Sequence, residues 1–167
     1  MVKNKIVGII PARFKSSRFP GKPLADIHGK PMIWHVYQRA TKAKLLDEIY
    51  VATDDQRIKE VCDSFNMQVI MTSDTHTTGS DRLSECASRI NADFYVNIQG
   101  DEPMIDPDSI DSVTQEILIE ENENIVASGA FMPINDPSDI IDSNVVKVII
   151  SNSGVAISYS RSPIPYP

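Results

Sequence analysis

Lys5-Ile-Val-Gly-Ile-Ile10 runs straight into Pro11-Ala-Arg-Phe-Lys-Ser-Ser-Arg-Phe-Pro-Gly-Lys-Pro23. The first segment reads as a buried strand ended by Pro11, since a run this short and apolar suits a strand covered on both faces. The second segment holds four cations (Arg13, Lys15, Arg18, Lys22), two hydroxyls and a glycine. A basic and then apolar N-terminus also resembles a secretory signal. Here the apolar run stops at Pro11 and more cations follow, with no small-residue cleavage site, so a core strand is the better reading.

Working outward, strands and helices alternate. Pro31 stands where a first helical residue should, with Met32, Ile33, Val36, Tyr37 and Ala40 recurring at helical spacing. Residues 47–53 read as the second strand, and Asp54 or Asp55 caps a helix carrying Ile58, Val61, Cys62 and Phe65. Residues 67–71 form a third strand before a polar loop. Ser80 is the expected N-cap of a helix with Leu83, Cys86, Ala87 and Ile90 on one face. Residues 94–99 are the fourth strand, and Asp106 with Pro107 opens a helix striped by Ile110, Val113, Ile117 and Leu118. Beyond Asn124 the pattern turns to strands, one at 125–132 and a hairpin of 145–150 with 155–159 across Ser151–Gly154. Repeated strand–helix units imply an α/β fold, a mostly parallel sheet with helices on both faces and a C-terminal β-hairpin.

A chain of 167 residues is one domain, and 41% hydrophobic content supports a real core. Sixteen basic residues against 23 acidic ones give a net charge of −7, which argues against a general nucleic-acid binder. No apolar run is long enough to span a membrane. Cys62 and Cys86 have no metal or redox spacing and read as buried thiols, as in a reduced cytoplasmic protein.

Ligands of such sheets bind beyond the carboxyl ends of the strands, where three loops here are polar. The basic loop 11–22 has the charges and hydroxyls to cradle a polyphosphate, although a solvated basic loop would have the same composition. It matches neither the dinucleotide fingerprint nor the P-loop. Gly100-Asp101-Glu102-Pro103 offers carboxylates that could hold Mg²⁺, or simply a turn rich in Asp and Gly. In Thr77-Thr-Gly-Ser-Asp-Arg82, Gly79 allows close approach of a ligand to backbone. Arg82 stands in the first helical turn, where the macrodipole disfavours a cation, and so calls for a partner. No nucleophile–base set stands out among His28, His35, His76 and the hydroxyl residues.

Six ordered blocks carry a resemblance: Ile9-Ile-Pro-Ala-Arg-Phe14, Ser17-Arg-Phe-Pro-Gly-Lys-Pro-Leu24, Gly29-Lys-Pro-Met32, Val51-Ala-Thr-Asp54, Gly79-Ser-Asp-Arg-Leu83 and Asn97-Ile-Gln-Gly-Asp-Glu-Pro-Met104. With Asn144-Val-Val-Lys-Val148 and Tyr159-Ser-Arg-Ser-Pro-Ile-Pro165, the sequence resembles the 3-deoxy-manno-octulosonate (Kdo) cytidylyltransferases, the CMP-Kdo synthetases, over essentially its whole length. The resemblance implies a Rossmann-like nucleotidyltransferase sheet and a reaction, CTP plus Kdo giving CMP-Kdo and pyrophosphate with Mg²⁺, in lipopolysaccharide or capsule synthesis. It further implies that Arg13 and Lys22 hold the triphosphate and that Asp101 binds the metal. Ala12, Gly79, Ser80 and Arg82 would face the nucleotide, and Gln99 the nucleotide–sugar junction. It implies CTP and an acidic sugar as partners, a homodimer for the full-length family, and no nucleic acid or membrane. Residues 1–123 would be the nucleotide core and 124–167 the start of a sugar-binding and dimerisation part whose remainder the family carries further along the chain. Another acidic sugar (amino-Kdo or a sialate-like acid) and a catalytically incomplete CTP-binding fragment are the alternatives. A nicotinamide-dependent oxidoreductase is disfavoured for want of the glycine fingerprint.

Overall fold

The computed structural model describes residues 4–15, 19–120 and 124–164. It divides into two compact units, Met1–Ser128 and Gly129–Pro167. Four parallel strands build the first, in the order β5-β4-β1-β6: β1 (Ile6–Ala12), β4 (Glu48–Thr53), β5 (Val69–Met71) and β6 (Phe94–Asn97). The chain winds outward from β1 through β4 to β5, then crosses back to β6 on the other side of β1. That reversal makes the carboxyl ends of β1 and β6 the topological switch point.

Alternation along β1 decides the layers. Ile10 and Ala12 point to one face, where α1 (Met32–Ala40), α2 (Gln56–Ser64) and α4 (Pro107–Ile119) bring Ile33, Val36, Ala40, Ile58, Cys62 and Ile110. Val7 and Ile9 point to the other, against Cys86 of α3 (Gly79–Arg89), with Leu83 and Ile90 at its margin. Ile9, Ile10, Ile33, Val51 and Ile58 are wholly buried; each such side chain contributes roughly 1.5–3 kcal/mol. The expected α/β sheet with helices on both faces is therefore present. Cys62 and Cys86 are buried on opposite faces, and burial pushes their thiols up to about 12 and about 11.

Boundaries moved for local reasons. Pro11 does not end β1: it pairs with Ala52, and Ala12 pairs with Thr53. The Ile9 carbonyl accepts from Ile98 N, so Pro11, two residues on, presents its hydrogen-less nitrogen to the β6 side, where β6 has already ended at Asn97. The fourth strand thus stops two residues before the expected Gln99. Pro31 is the N-cap of α1 rather than its first residue. Just before it, β2 (Asp26–Ile27) and β3 (Lys30–Pro31) form a short hairpin, unforeseen in the sequence, turned by His28 and Gly29 at φ 50° and 80°. Asp55, not Asp54, caps α2, and Asp106 caps α4.

In the second unit, β7 (Lys147–Ile150) pairs antiparallel with β8 (Ala156–Ser160), as expected, with an irregularity at Ile149/Ile150. A single turn of helix, α5 (Ser138–Ile141), precedes them. The strand expected at 125–132 does not form. Its apolar residues, Val126, Phe131 and Met132, are more than half exposed, and the segment has no ladder among the described residues. Alternation favours an extended chain, but a strand needs a neighbouring edge to take its N–H and C=O groups. No helix among the described residues is long and apolar enough to cross a membrane.

Candidate functional site

Three loops meet at the end of β1. The 98–103 turn passes so close that a Cβ on Gly100 would stand 2.5 Å from the Pro11 carbonyl oxygen, so only glycine fits. On the α3 side, a Cβ on Gly79 would touch the Pro11 ring at an ordinary 3.5 Å. Glycine there is therefore not required by packing. The third loop leaves β1 itself, carrying exposed Arg13 immediately after buried Ala12.

Two of the expected ligand-holding residues are brought into direct contact. Lys22 Nζ lies 2.7 Å from Asp101 Oδ2, joining the β1 loop to the β6 loop across the switch point. Both side chains are substantially exposed, at 38% and 54%, so this ion pair contributes little to stability and its partners are accessible to other charges. Arg13 Nη1 donates to the Thr77 carbonyl at 3.4 Å, which sets a second cation beside the start of α3. Gln99 is exposed on the turn between β6 and Asp101.

The start of α3 is built differently from the sequence expectation. Thr78, not Ser80, is the N-cap: its hydroxyl accepts from Asp81 N at 3.1 Å, and Asp81 accepts from Thr78 N at 3.0 Å. This reciprocal capping box starts the helix two residues early. Thr78's hydrogen bonds also hold the Asp81 carboxyl below its ordinary range. Gly79 and exposed Ser80 occupy the first turn, where N–H groups precede the helix's own hydrogen-bond ladder.

Arg82 has the partner its position called for. It is 3% exposed, with Nη2 3.0 Å from Asp54 Oδ1 and Nη1 donating to Thr72 Oγ1 and the Ser73 carbonyl. The Nη2 approach is an ion contact without hydrogen-bond geometry, which leaves Asp54 Oδ1 buried and lacking a hydrogen bond. Arg82 therefore lies beneath the 72–78 loop and ties it to the end of β4. Glu85 holds the same loop by accepting from Ser73 N at 2.8 Å and pairing with His76 Nε2 at 2.5 Å. Those two bonds keep the Glu85 carboxyl below its ordinary range. The sequence reading missed Asp54, His76 and Glu85. A signal for Asp54 was present in the Asp54–Asp55 doublet: one aspartate caps α2 and leaves the other to be accounted for.

A divalent ion at this edge would find hard carboxylate oxygen in exposed Asp101, with Glu102 next along the chain. The described residues form no group of three or more His, Cys, Asp and Glu able to hold a metal by themselves. This suits an ion held by one carboxylate together with substrate oxygens, the usual habit of Mg²⁺, better than a closed protein cage.

A family model described as cytidylyltransferase matches residues 7–167. The 3-deoxy-manno-octulosonate cytidylyltransferases of Geobacter metallireducens and Geobacter sulfurreducens are each 49% identical to this chain, over 96% of it. The alignments take in 63% and 64% of those proteins, so the chain spans a little under two thirds of the length of the curated relatives it matches. A solved CMP:2-keto-3-deoxy-manno-octonic acid synthetase complexed with CTP superposes with a TM-score of 0.86 at 41% identity, covering 98% of this chain and 66% of that one.

Proposed function

We propose that this chain, which belongs to the cytidylyltransferase family, binds CTP at the β1/β6 switch point and serves transfer of its cytidylyl group to Kdo, releasing pyrophosphate. The observation that carries this reading is the Lys22–Asp101 pair, one cation and one carboxylate 2.7 Å apart at the strand-end switch point where open α/β sheets in general bind ligands. The names of the relatives and the CTP complex of the similar structure support the choice of nucleotide and sugar.

On this reading the sugar's anomeric hydroxyl attacks the α-phosphorus. The new O–P bond forms as the α–β phosphoanhydride bond breaks, and the hydroxyl proton passes to solvent. Negative charge gathers on the leaving pyrophosphate, where Arg13 and Lys22 meet it. The first-turn N–H groups at Gly79 and Ser80 add a positive helix end toward phosphate. Ala12 borders the nucleotide, and Gln99 stands toward the sugar junction. Arg82 acts from below, through Asp54, Thr72 and Ser73, by fixing the loop that leads into α3. Asp101 is the residue that would hold Mg²⁺, whose chemistry is to neutralise phosphate oxygens. Positioning and electrostatics suffice for such a displacement.

The test is binding of CTP, UTP, ATP and NADH to this chain, with and without Mg²⁺, followed by assay for CMP-Kdo from CTP and Kdo. CTP at about 100 times its dissociation constant should stabilise the fold by about 2.7 kcal/mol, with the other nucleotides well behind. Lys22→Ala should weaken CTP at least about tenfold, the scale of a charge-assisted contact. Equal responses to all nucleotides from the folded chain would overturn the assignment. Selective CTP binding without product would identify the catalytically incomplete fragment.

A further inference from the structure

Among the described residues Arg57 pairs with Asp55 rather than with Arg13, Lys22 or Asp101, yet it stacks on the base of the loop that carries both proposed phosphate cations. Its guanidinium carbon lies 3.3 Å from the centre of the Phe14 ring. Nε and Nη2 donate to the two Asp55 oxygens at 2.9 and 2.7 Å, which orients the guanidinium over the ring. Asp55 is itself fixed as the N-cap of α2, accepting from Arg57 N at 3.0 Å. Phe14 is also crowded by Gly21, where an added Cβ would come within 3.0 Å of the ring and where φ is +73°. The Gly21 N–H donates to the Phe14 carbonyl at 2.8 Å and closes the loop on itself.

Arg13 immediately precedes this closure and Lys22 immediately follows it. The Gly21 carbonyl then accepts from Leu24 N, and the Lys22 carbonyl from Ala25 N, which starts the 3₁₀ turn Lys22–Leu24. The closure at Phe14 and Gly21 therefore ties together the backbone segments that carry the two cations, and Arg57 of α2 stacks on it.

We infer that Arg57 is a positioning residue for triphosphate binding, acting through Phe14 to hold Arg13 and Lys22 at the spacing that polyphosphate needs. The inference rests on the proposed function, because it concerns how that site is shaped. The competing explanation is that Arg57 merely pairs with Asp55 on the surface, for its side chain is 58% exposed.

Affinity for CTP and for CMP, each with Mg²⁺, separates the two on the unsubstituted chain and on Arg57→Ala, Arg57→Lys, Phe14→Leu and the Arg57→Ala/Phe14→Leu double variant. We expect Arg57→Ala to weaken CTP about five- to tenfold, the order of one partly desolvated cation–π contact. CMP, lacking the outer phosphates, should change less than about twofold. Phe14→Leu should weaken CTP similarly, and the double variant should be no weaker than the worse single, since both changes remove one contact. Arg57→Lys should recover part of the loss by keeping a cation over the ring. CTP affinity within twofold of the unsubstituted chain in Arg57→Ala, equal losses for CTP and CMP, or full additivity in the double variant would each overturn the inference. Failure of the unsubstituted chain to bind CTP would instead overturn the proposed function, and the inference with it.

Discussion

In the unit Met1–Ser128, Ile9, Ile10 and Val51 are wholly buried; in the unit Gly129–Pro167, Ile157 is 66% and Tyr159 68% exposed. Both stretches are strands with every second residue turned to one side. The difference is what covers them. Each face of the parallel sheet has a helical layer, whereas the described part of the second unit is a two-stranded ribbon with one turn of helix. A ribbon of two strands cannot bury a core of its own.

What organises the second unit is polar. Lys147 is the one charged residue there that is buried, at 5% exposure among the described residues. Its ammonium donates to the carbonyls of Asp142, Val145 and Arg161 at 2.5, 2.9 and 3.0 Å. Three donors meet three acceptors, so the charge is buried without an unmet hydrogen bond. Arg161 adds a bond from Nη1 to the Ser143 carbonyl at 2.9 Å. The first unit uses a buried cation differently, with Arg82 set against the carboxylate of Asp54 beside the Thr72 hydroxyl and the Ser73 carbonyl. The two cations therefore offer different ways to break the two units.

The largest effect should come from Arg82→Met, which strands the Asp54 carboxylate in the interior. Loss of one partner from a buried pair costs about 3–5 kcal/mol, to be read as a lowered urea midpoint of the first unit. A change below about 1 kcal/mol, the range of surface pairs, would show that solvent reaches Asp54. Next, Lys147→Met should reduce hydrogen-exchange protection across residues 142–161 by about a hundredfold, the scale of losing hydrogen bonds from one charged donor. Protection of β1 and β4 should not move; a loss there would mean that the units do not respond separately. Smallest of all, Ile157→Ala should change stability by less than about 0.5 kcal/mol, as surface substitutions do. The same truncation at Ile10 should cost about 2–5 kcal/mol. Equal costs at the two positions would erase the contrast between a covered and an uncovered strand.

Much of this was legible in residue order. The strand–helix alternation, the caps at Asp55 and Asp106, the hairpin at 147–160 and the buried thiols follow from local chemistry, which acts over a few residues and leaves a mark at each. Asp136 and Asp142 accept from Ser138 N and Asn144 N, bonds that are equally local. Among the candidate site residues, Arg13, Lys22 and Asp101 declared themselves as charge at strand ends. Of the basic loop, Ser16, Ser17 and Arg18 lie outside the described residues, as does Pro165 in the last quoted block.

The sequence by itself determined the strand–helix alternation of the first unit, the C-terminal hairpin and where charge collects, because those are properties of neighbours in the chain. Only the tertiary structure decided that Lys22 meets Asp101, 79 residues away, and that Arg82 turns inward to Asp54. It also decided that Phe14 is clamped by Arg57, and that the alternation at 125–132 yields no strand. Each of these depends on the distance between groups remote in sequence. That distance is set by the order in which strands lie side by side, and local pattern carries no record of it.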